Sequence, residues 1–211
     1  MALNPLLDSR DLRFTLFELL EIDKLTALPK YADFDRAMFE DVIDLAEKIA
    51  VEQVYPISAE SEKQGVKYDP ATKKVSVPEG FKPALKAYNE AGFIAIPEDP
   101  EIGGMGMPAC VAMAASEIFT AASLAFTTYP GLAHGAAMLI QSFGSDELKK
   151  LFIPKMFSGE WGGTMCLTEP DAGSDVGNLK TKAVRQDDGT FKITGQKIFI
   201  TSGDNDVYSN I

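Results

Sequence analysis

The stretch that decides the fold lies at residues 161–203 and has the sequence WGGTMCLTEPDAGSDVGNLKTKAVRQDDGTFKITGQKIFITSG. An apolar run at residues 163–168 predicts a strand, and it stops at residues 169–175, where Pro and Gly exclude a regular ladder. Because Gly173 permits positive φ and Ser174 adds a hydroxyl, the backbone N–H groups of this turn can converge as a concave nest that suits a phosphate or pyrophosphate. The alternative is an ordinary surface turn rich in Asp.

A small antiparallel sheet is predicted downstream of this turn. Residues 180–186 alternate loosely between apolar and polar, and residues 187–189, Asp-Asp-Gly, supply the chemistry of a hairpin turn. The strand pattern resumes at residues 191–193 and again at residues 196–201, with a bulge expected at Gly195. Residues 161–203 are therefore predicted to be a β region.

Upstream of this stretch, apolar residues recur at helical spacing and predict an α-helical region. Gly92 is a plausible left-handed cap, Ser145 is a good N-cap, and residues 65–80 form a turn-rich insertion. The predicted helices are residues 10–24, residues 35–55 continuing past a kink at Pro56, and residues 81–91, 107–125, 131–143 and 145–156.

Three glycines, Gly103, Gly104 and Gly106, imitate part of a dinucleotide-binding fingerprint. No strand of adequate length precedes them, and no acidic ribose ligand follows at the expected distance. A turn between helices that needs positive φ explains these glycines better than a nicotinamide cofactor does.

The composition is that of a globular protein. With 211 residues, 45% hydrophobic and 24% charged, the chain suffices for one moderate core and part of a second. A net charge of −11 opposes nucleic-acid binding, which calls for a basic patch. The first residues, MALNPLLDSRD, lack the features of a signal peptide, and no apolar run approaches the length of a membrane span. We therefore expect a cytoplasmic protein without a membrane span.

The cysteines and the single histidine predict no metal site. Cys110 and Cys166 stand far apart in apolar contexts, which favours buried free thiols over a disulfide. His134 lies in a segment rich in Ala and Gly without a neighbouring Ser, Cys or Asp arranged as a relay. It is predicted to be a packed or hydrogen-bonded structural residue rather than a general base.

Two segments carry a family resemblance. MCLTEPDAGSDVGNLKT at residues 165–181 and GQKIFITSG at residues 195–203 resemble the flavin-binding signature of the acyl-CoA dehydrogenases. The resemblance continues upstream in FIAIPEDPEIGGMG at residues 93–106 and in the lead-in to the signature at residues 134–163. It covers roughly residues 36–203, and the residues before them are similar to a short N-terminal extension found in one longer branch of the family.

The resemblance implies an α+β fold in which an all-α domain is followed by an incomplete antiparallel β domain. The implied divisions are an N-terminal helical extension at residues 1–35, the helical domain at residues 36–160, and the first part of the middle β-barrel domain at residues 161–211. About half of the family's middle domain would be missing, and its sheet would have unpaired edges.

The resemblance also implies an FAD site. Thr168 would hydrogen-bond the pyrimidine edge of the flavin, Gly173 and Ser174 would receive the pyrophosphate, and Ser174 would also lie close to the coenzyme A part of a substrate. Phe199 stands where the family usually has Trp against one face of the ring, and Thr201 would donate toward N5. The full set of implied cofactor-binding residues is Met165, Cys166, Leu167, Thr168, Gly173, Ser174, Phe199, Ile200 and Thr201.

The activity implied by the resemblance is α,β-dehydrogenation of an acyl-CoA thioester in fatty-acid β-oxidation, with electrons leaving to an electron-transfer flavoprotein. The family's catalytic glutamate lies in a C-terminal helical domain that this sequence does not contain, so no catalytic residue is assigned within it. We expect the 211-residue chain alone to be inactive and to hold FAD weakly or not at all, and the full-length protein to form a homo-oligomer. Two alternatives are an acyl-CoA oxidase that uses oxygen and a non-enzymatic helical interaction module.

Overall fold

A computed structural model describes residues 4–210. The chain divides into two units, which are described separately. Unit 1 contains residues up to 163 and from 204 onward, and unit 2 contains residues 164–203. Unit 1 carries the long helices and the hydrophobic core, whereas unit 2 carries a hairpin and irregular segments.

Unit 1 contains seven α-helices among the described residues, and they follow the predicted order closely. Shorter 3-10 turns lie at Pro29–Tyr31, Phe93–Ala95 and Pro100–Ile102. The helices are α1 Ser9–Arg13, α2 Arg36–Ile49, α3 Tyr55–Gln64, α4 Phe81–Glu90, α5 Ala109–Ala122, α6 Leu124–Phe143 and α7 Asp146–Phe157.

The predicted helix over residues 10–24 is wrong in its second half. After α1 the chain makes a π-helical turn at Phe14–Leu19, and Glu21 then takes a left-handed conformation with φ 49°. A separate 3-10 helix follows at Ile22–Ala27. The apolar spacing of the two pieces is nearly continuous, so the pattern did not reveal the reversal at Glu21.

The second predicted helix is confirmed, and it continues past Pro56. Asp35 caps α2 by accepting a hydrogen bond from the Met38 N–H at 2.8 Å. A π-helical turn at Ala50–Val54 separates α2 from α3. A proline ring clashes with the carbonyl four residues before it in a regular helix, and a wider turn there relieves that clash. The predicted kink is therefore realised as a wide turn.

The turn-rich insertion contains a hairpin that the sequence pattern did not predict. Strand β1, Lys67–Asp69, pairs antiparallel with β2, Lys74–Ser76. The Asp69 side chain holds the connecting turn by accepting from the Ala71 N–H at 2.9 Å and from the Thr72 hydroxyl at 2.7 Å. Both strands are short and largely exposed, so they lack the burial pattern from which strands are recognised.

The core of unit 1 lies between α2, α4, α5 and α6 and is centred on an aromatic cluster. Phe119 on α5 is 1% exposed, and its ring meets those of Tyr88 and Phe93 edge-on, with centroids 4.7 Å and 4.9 Å away. Phe126 on α6 makes a further edge contact with Tyr88 at 5.8 Å. Edge-to-face pairs of this kind add to the stabilisation from burial alone.

The connections between these helices confirm the predicted glycine and serine positions. Gly92 has φ 77°, and Gly103 and Gly106 have φ 98° and 71°, so the glycine-rich stretch is a left-handed turn. Ser145 caps α7 through the Leu148 N–H at 3.4 Å. Ser123 separates α5 from α6 and caps the latter, which therefore begins earlier than predicted.

The β structure consists of two-stranded sheets. In unit 1, β3, Trp161–Gly162, pairs in parallel with β6, Ser209–Asn210. In unit 2, β4, Lys182–Arg185, pairs antiparallel with β5, Phe191–Thr194, as predicted. No closed barrel forms within the described residues, and the fold is α+β with a helical first part and small two-stranded sheets, of which β1–β2 and β4–β5 are antiparallel.

Within residues 4–210, no helix is both long enough and apolar enough to cross a lipid bilayer.

Candidate functional site

Two segments of unit 2, residues 164–168 and 195–201, are held side by side. The Ile198 N–H donates to the Thr168 carbonyl at 2.9 Å. One residue earlier on each segment, the Lys197 ammonium donates to the Leu167 carbonyl at 2.8 Å. Both segments were predicted to be strands, but neither has regular strand pairing. The backbone hydrogen bond from Ile198 and the side chain of Lys197 connect them instead of a ladder of backbone hydrogen bonds.

Glu169 lies at the centre of this arrangement and is buried although it is charged. Its carboxylate accepts from Lys197 Nζ at 2.8 Å, from the Lys180 N–H at 2.6 Å and from the Thr181 N–H at 3.0 Å. The hydrogen bonds from Lys197, Thr181 and Lys180 lower the pKa of the Glu169 carboxyl to about 2. Glu169 is therefore an ionised anchor that joins the two segments to the start of the hairpin.

The turn that begins at Glu169 is closed by reciprocal backbone bonds. The Glu169 N–H donates to Ala172 O at 2.9 Å and the Ala172 N–H donates to Glu169 O at 3.1 Å. Gly173 does not use the positive φ that a glycine permits, and the chain already reverses before it, at the bridge between Glu169 and Ala172. Within residues 4–210, the N–H groups of Gly173 and Ser174 have no protein acceptor. Gly173 and Ser174 are themselves exposed.

The apolar residues of the predicted site are exposed rather than packed. Met165 is 65% exposed, Leu167 is 41% exposed and Phe199 is 86% exposed. Cys166 is exposed as well, so the prediction of a buried thiol is wrong at that position. The reason is that residues 163–168 do not enter a sheet, so their side chains are not covered from either side.

The backbone at Phe199 is unusual. Phe199 has φ 58° and Ser202 has φ 53°, in the left-handed region that bulky residues rarely adopt. This conformation ends the predicted strand at residues 196–201, and Ile200 and Thr201 follow it as half-buried and exposed residues. Strain of this kind persists where surrounding contacts fix the chain, and it is common at ligand sites.

Sequence reasoning did not identify Glu169, Thr181 or Lys197 as members of the site. The available signal was the placement of Glu169 directly after an apolar run, and of Lys197 inside a strand-like segment whose other residues are mainly apolar. Charged residues at such positions are rarely buried without a partner. The pairing itself depends on residues far apart in the chain, and no local pattern contains it.

The stability of unit 2 is expected to depend on pH through Glu169. The folded carboxyl has a pKa lowered from 4.5 to about 2, so its contribution is complete above pH 4.5 and is lost as the pH falls toward 2. A carboxyl NMR titration measures this directly, and Glu169→Gln should remove the step. A titration midpoint near 4.5 would show that the ion pair with Lys197 does not persist in solution.

In unit 1, His134 has the structural role that was predicted. Its Nε2 lies 2.8 Å from a Glu98 carboxylate oxygen, and its ring stacks on Phe157 with centroids 6.1 Å apart. Cys110 is half-buried. Among the described residues, no three His, Cys, Asp or Glu side chains converge as a metal site.

Comparison with known proteins relates the chain to one family. The family model "Acyl-CoA dehydrogenase, N-terminal domain" matches residues 38–160, and the model "Acyl-CoA dehydrogenase, middle domain" matches residues 164–208. The broad-specificity linear acyl-CoA dehydrogenase FadE5 of Mycobacterium tuberculosis is 40% identical over 203 residues, which are 96% of this chain and 33% of that protein. A butyryl-CoA dehydrogenase of Syntrophomonas wolfei is 40% identical over 211 residues, which are 99% of this chain and 34% of that protein.

Solved structures agree with this relationship. An acyl-CoA dehydrogenase from Bacillus anthracis, solved in complex with FAD, has a TM-score of 0.63 and 26% identity. The match covers 85% of this chain and 29% of that one. The chain spans about a third of the length of the curated relatives it matches. Since the model of the N-terminal domain matches more than half of the residues, this protein belongs to the acyl-CoA dehydrogenase family.

Proposed function

We propose that this chain is part of an FAD-dependent enzyme that introduces an α,β double bond into an acyl-CoA thioester and passes the electrons to an electron-transfer flavoprotein. The observation that carries the proposal is the pair of family models matching both the helical part and unit 2. A complex with FAD among the solved relatives supports the cofactor, and acyl-CoA names among the curated relatives support the substrate class.

The residues of unit 2 fit FAD chemically. A flavin needs an apolar surface against its ring and hydrogen-bonding groups at its polar edge, and a pyrophosphate needs unpaired N–H donors. Phe199 and Met165 offer exposed apolar surface, and the N–H groups of Gly173 and Ser174 offer free donors. The remaining proposed cofactor-binding residues are Cys166, Leu167, Thr168, Ile200 and Thr201, and Ser174 is also proposed to approach the substrate's coenzyme A.

Each of these groups has a separate role in the proposed reaction. FAD, when bound, supplies the acceptor for the hydrogen that leaves the β carbon as hydride. Thr168 and Thr201 orient the ring through their hydroxyls, and Phe199 covers one face and excludes water from it. The backbone N–H groups of Gly173 and Ser174 would stabilise the negative charge of the pyrophosphate. Such donors matter because the chain itself has a net charge of −11, which disfavours a bound anion. We assign no general base within the described residues.

Anaerobic reduction of the flavin tests the proposal. The full-length gene product is loaded with FAD and mixed with straight-chain, branched and cyclic acyl-CoA thioesters, and the loss of flavin absorbance is followed. Bleaching by one class of thioester is expected, and it names the substrate in the same experiment. A bound flavin that none of these thioesters reduces would contradict the proposed reaction, and a protein without flavin affinity would favour the interaction-module alternative.

The electron acceptor and the assembly are further parts of the proposal. Rapid reoxidation by an electron-transfer flavoprotein, without oxygen consumption, is expected during turnover. Stoichiometric oxygen consumption would instead identify an oxidase. We also propose that the full-length protein is a cytoplasmic homo-oligomer. Light scattering tests the oligomeric state, and cell fractionation tests the location.

A further inference from the structure

Lys197 makes two contacts that no other side chain of unit 2 combines. Its ammonium donates to the Leu167 carbonyl at 2.8 Å on one segment and to the Glu169 carboxylate at 2.8 Å in the turn that follows. The side chain is 20% exposed, so both contacts are shielded from water. A shielded, charge-assisted hydrogen bond is stronger than a neutral one, and two of them fix the position of the donor.

Lys197 is the cation that pairs with the Glu169 carboxylate. The ammonium of Lys180 is paired with Asp171 on the surface, and only its backbone N–H reaches Glu169. Among the described residues, Lys197 is the one side-chain cation within hydrogen-bonding distance of that carboxylate. Loss of Lys197 would leave a buried carboxylate held by backbone N–H groups alone, an arrangement that is costly to maintain.

The position of this pair matters because of its neighbours in the sequence. Thr168 follows Leu167 and Ile198 follows Lys197, and a backbone hydrogen bond joins Thr168 to Ile198. The next residue on the second segment is Phe199, in its left-handed conformation. The contacts of Lys197 therefore define the spacing between the Thr168 hydroxyl and the segment that carries Phe199 and Thr201.

We propose that Lys197, braced by Glu169, is a positioning residue that sets the distance between the two segments that contact the flavin. This inference rests on the proposed FAD site. Lys197 itself is not placed against the cofactor, and it acts through the Leu167 carbonyl and the Glu169 carboxylate. Its Nζ is engaged by these two acceptors, so we assign it no role as a nucleophile or a general base.

The experiment compares Lys197→Met with Lys197→Arg and with the control Lys192→Met in the full-length gene product. Lys192 lies exposed on β5, and among the described residues no acceptor pairs with its side chain. Lys197→Met is expected to weaken FAD binding about tenfold and to speed exchange of the Ile198 amide by a similar factor. Lys197→Arg should restore most of the FAD affinity and most of the protection of the Ile198 amide. Lys192→Met should change neither the affinity nor the exchange rate.

A further readout separates positioning from general loss of structure. In the fraction of Lys197→Met that still holds FAD, the flavin absorption band and the reduction potential should shift, and Lys197→Arg should restore them. A general loss of structure in unit 2 would lower only the fraction of the protein that holds FAD. Glu169→Gln serves as a second route if Lys197→Met is poorly folded, and it should produce the same spectral change to a smaller extent.

Three results would overturn the inference. If the wild type binds FAD and Lys197→Met matches it in affinity and spectrum, Lys197 has no positioning role while the proposed function stands. If Lys197→Met loses FAD in proportion to loss of unit 2 structure, with an unchanged spectrum in the bound fraction, the role is merely structural. If the wild type holds no FAD, the proposed function and the positioning role fail together.

Discussion

Replacing Phe119 with Ala is expected to lower the free energy of unfolding of unit 1 by about 3–5 kcal/mol. The ring is 1% exposed and lies between Tyr88 and Phe93, so its removal leaves a cavity lined by aromatic edges. Two helices and a 3-10 turn meet there, and the backbone cannot collapse into the space without moving all three. The loss includes burial, cavity formation and two edge-to-face contacts.

Urea unfolding followed by far-UV circular dichroism measures this loss. Met113→Ala is the matched control, because Met113 lies on the same helix and is 68% exposed. That control should stay within about 0.5 kcal/mol of the wild type. Equal effects of the two substitutions would mean that α5 does not pack through Phe119.

Replacing Gly195 with Ala is expected to destabilise the hairpin of unit 2 by about 3 kcal/mol, the sum of steric overlap and backbone strain. A Cβ at Gly195 would overlap the side-chain oxygen of Thr181 and would lie 2.7 Å from its Cα, so a backbone shift is unavoidable. Gly195 also has φ 158°, which few other residues adopt. Since Thr181 donates to Glu169, the shift would reach the site as well.

Hydrogen exchange of the amides paired between β4 and β5 measures this effect. A destabilisation of that size corresponds to about 100-fold faster exchange. Gly189→Ala in the hairpin turn is the comparison, since Gly189 has φ 85° but no atom within 4 Å of an added Cβ. It should cost only about 1 kcal/mol, from conformational strain alone. If Gly189→Ala speeds hydrogen exchange more than Gly195→Ala does, a steric overlap between residue 195 and Thr181 is not what destabilises the hairpin.

The helices were predictable from the sequence because their signals are local. Asp35, Ser145 and the left-handed Gly92 mark helix boundaries through contacts within a few residues, and burial keeps the apolar spacing regular. The reversal at Glu21 escaped prediction, since a non-glycine residue with positive φ has no sequence signature. The hairpin of unit 2 was predicted from its Asp-Asp-Gly turn.

The predicted strands at residues 163–168 and 196–201 failed for a different reason. Apolar alternation indicates a strand only where another strand can cover it, and no such strand is present in unit 2. Within residues 164–203, all of which the structure describes, only Glu169 and Ala172 are buried. The ion pair between Lys197 and Glu169, which joins the two segments, connects residues distant in sequence, so no local pattern predicts it.

The pairing of β3 with β6 has a consequence for how the chain tolerates changes in length. Trp161 lies opposite Ser209, and the Tyr208 hydroxyl donates to the Asn89 side chain at 3.2 Å, so unit 1 fixes both ends of the intervening segment. Unit 2 is thus an insertion in unit 1. Closing such a loop costs entropy that grows only logarithmically with length, about 0.6 kcal/mol for each doubling. Insertions or deletions between Gly163 and Asp204 should therefore leave the helical unit almost as stable as before.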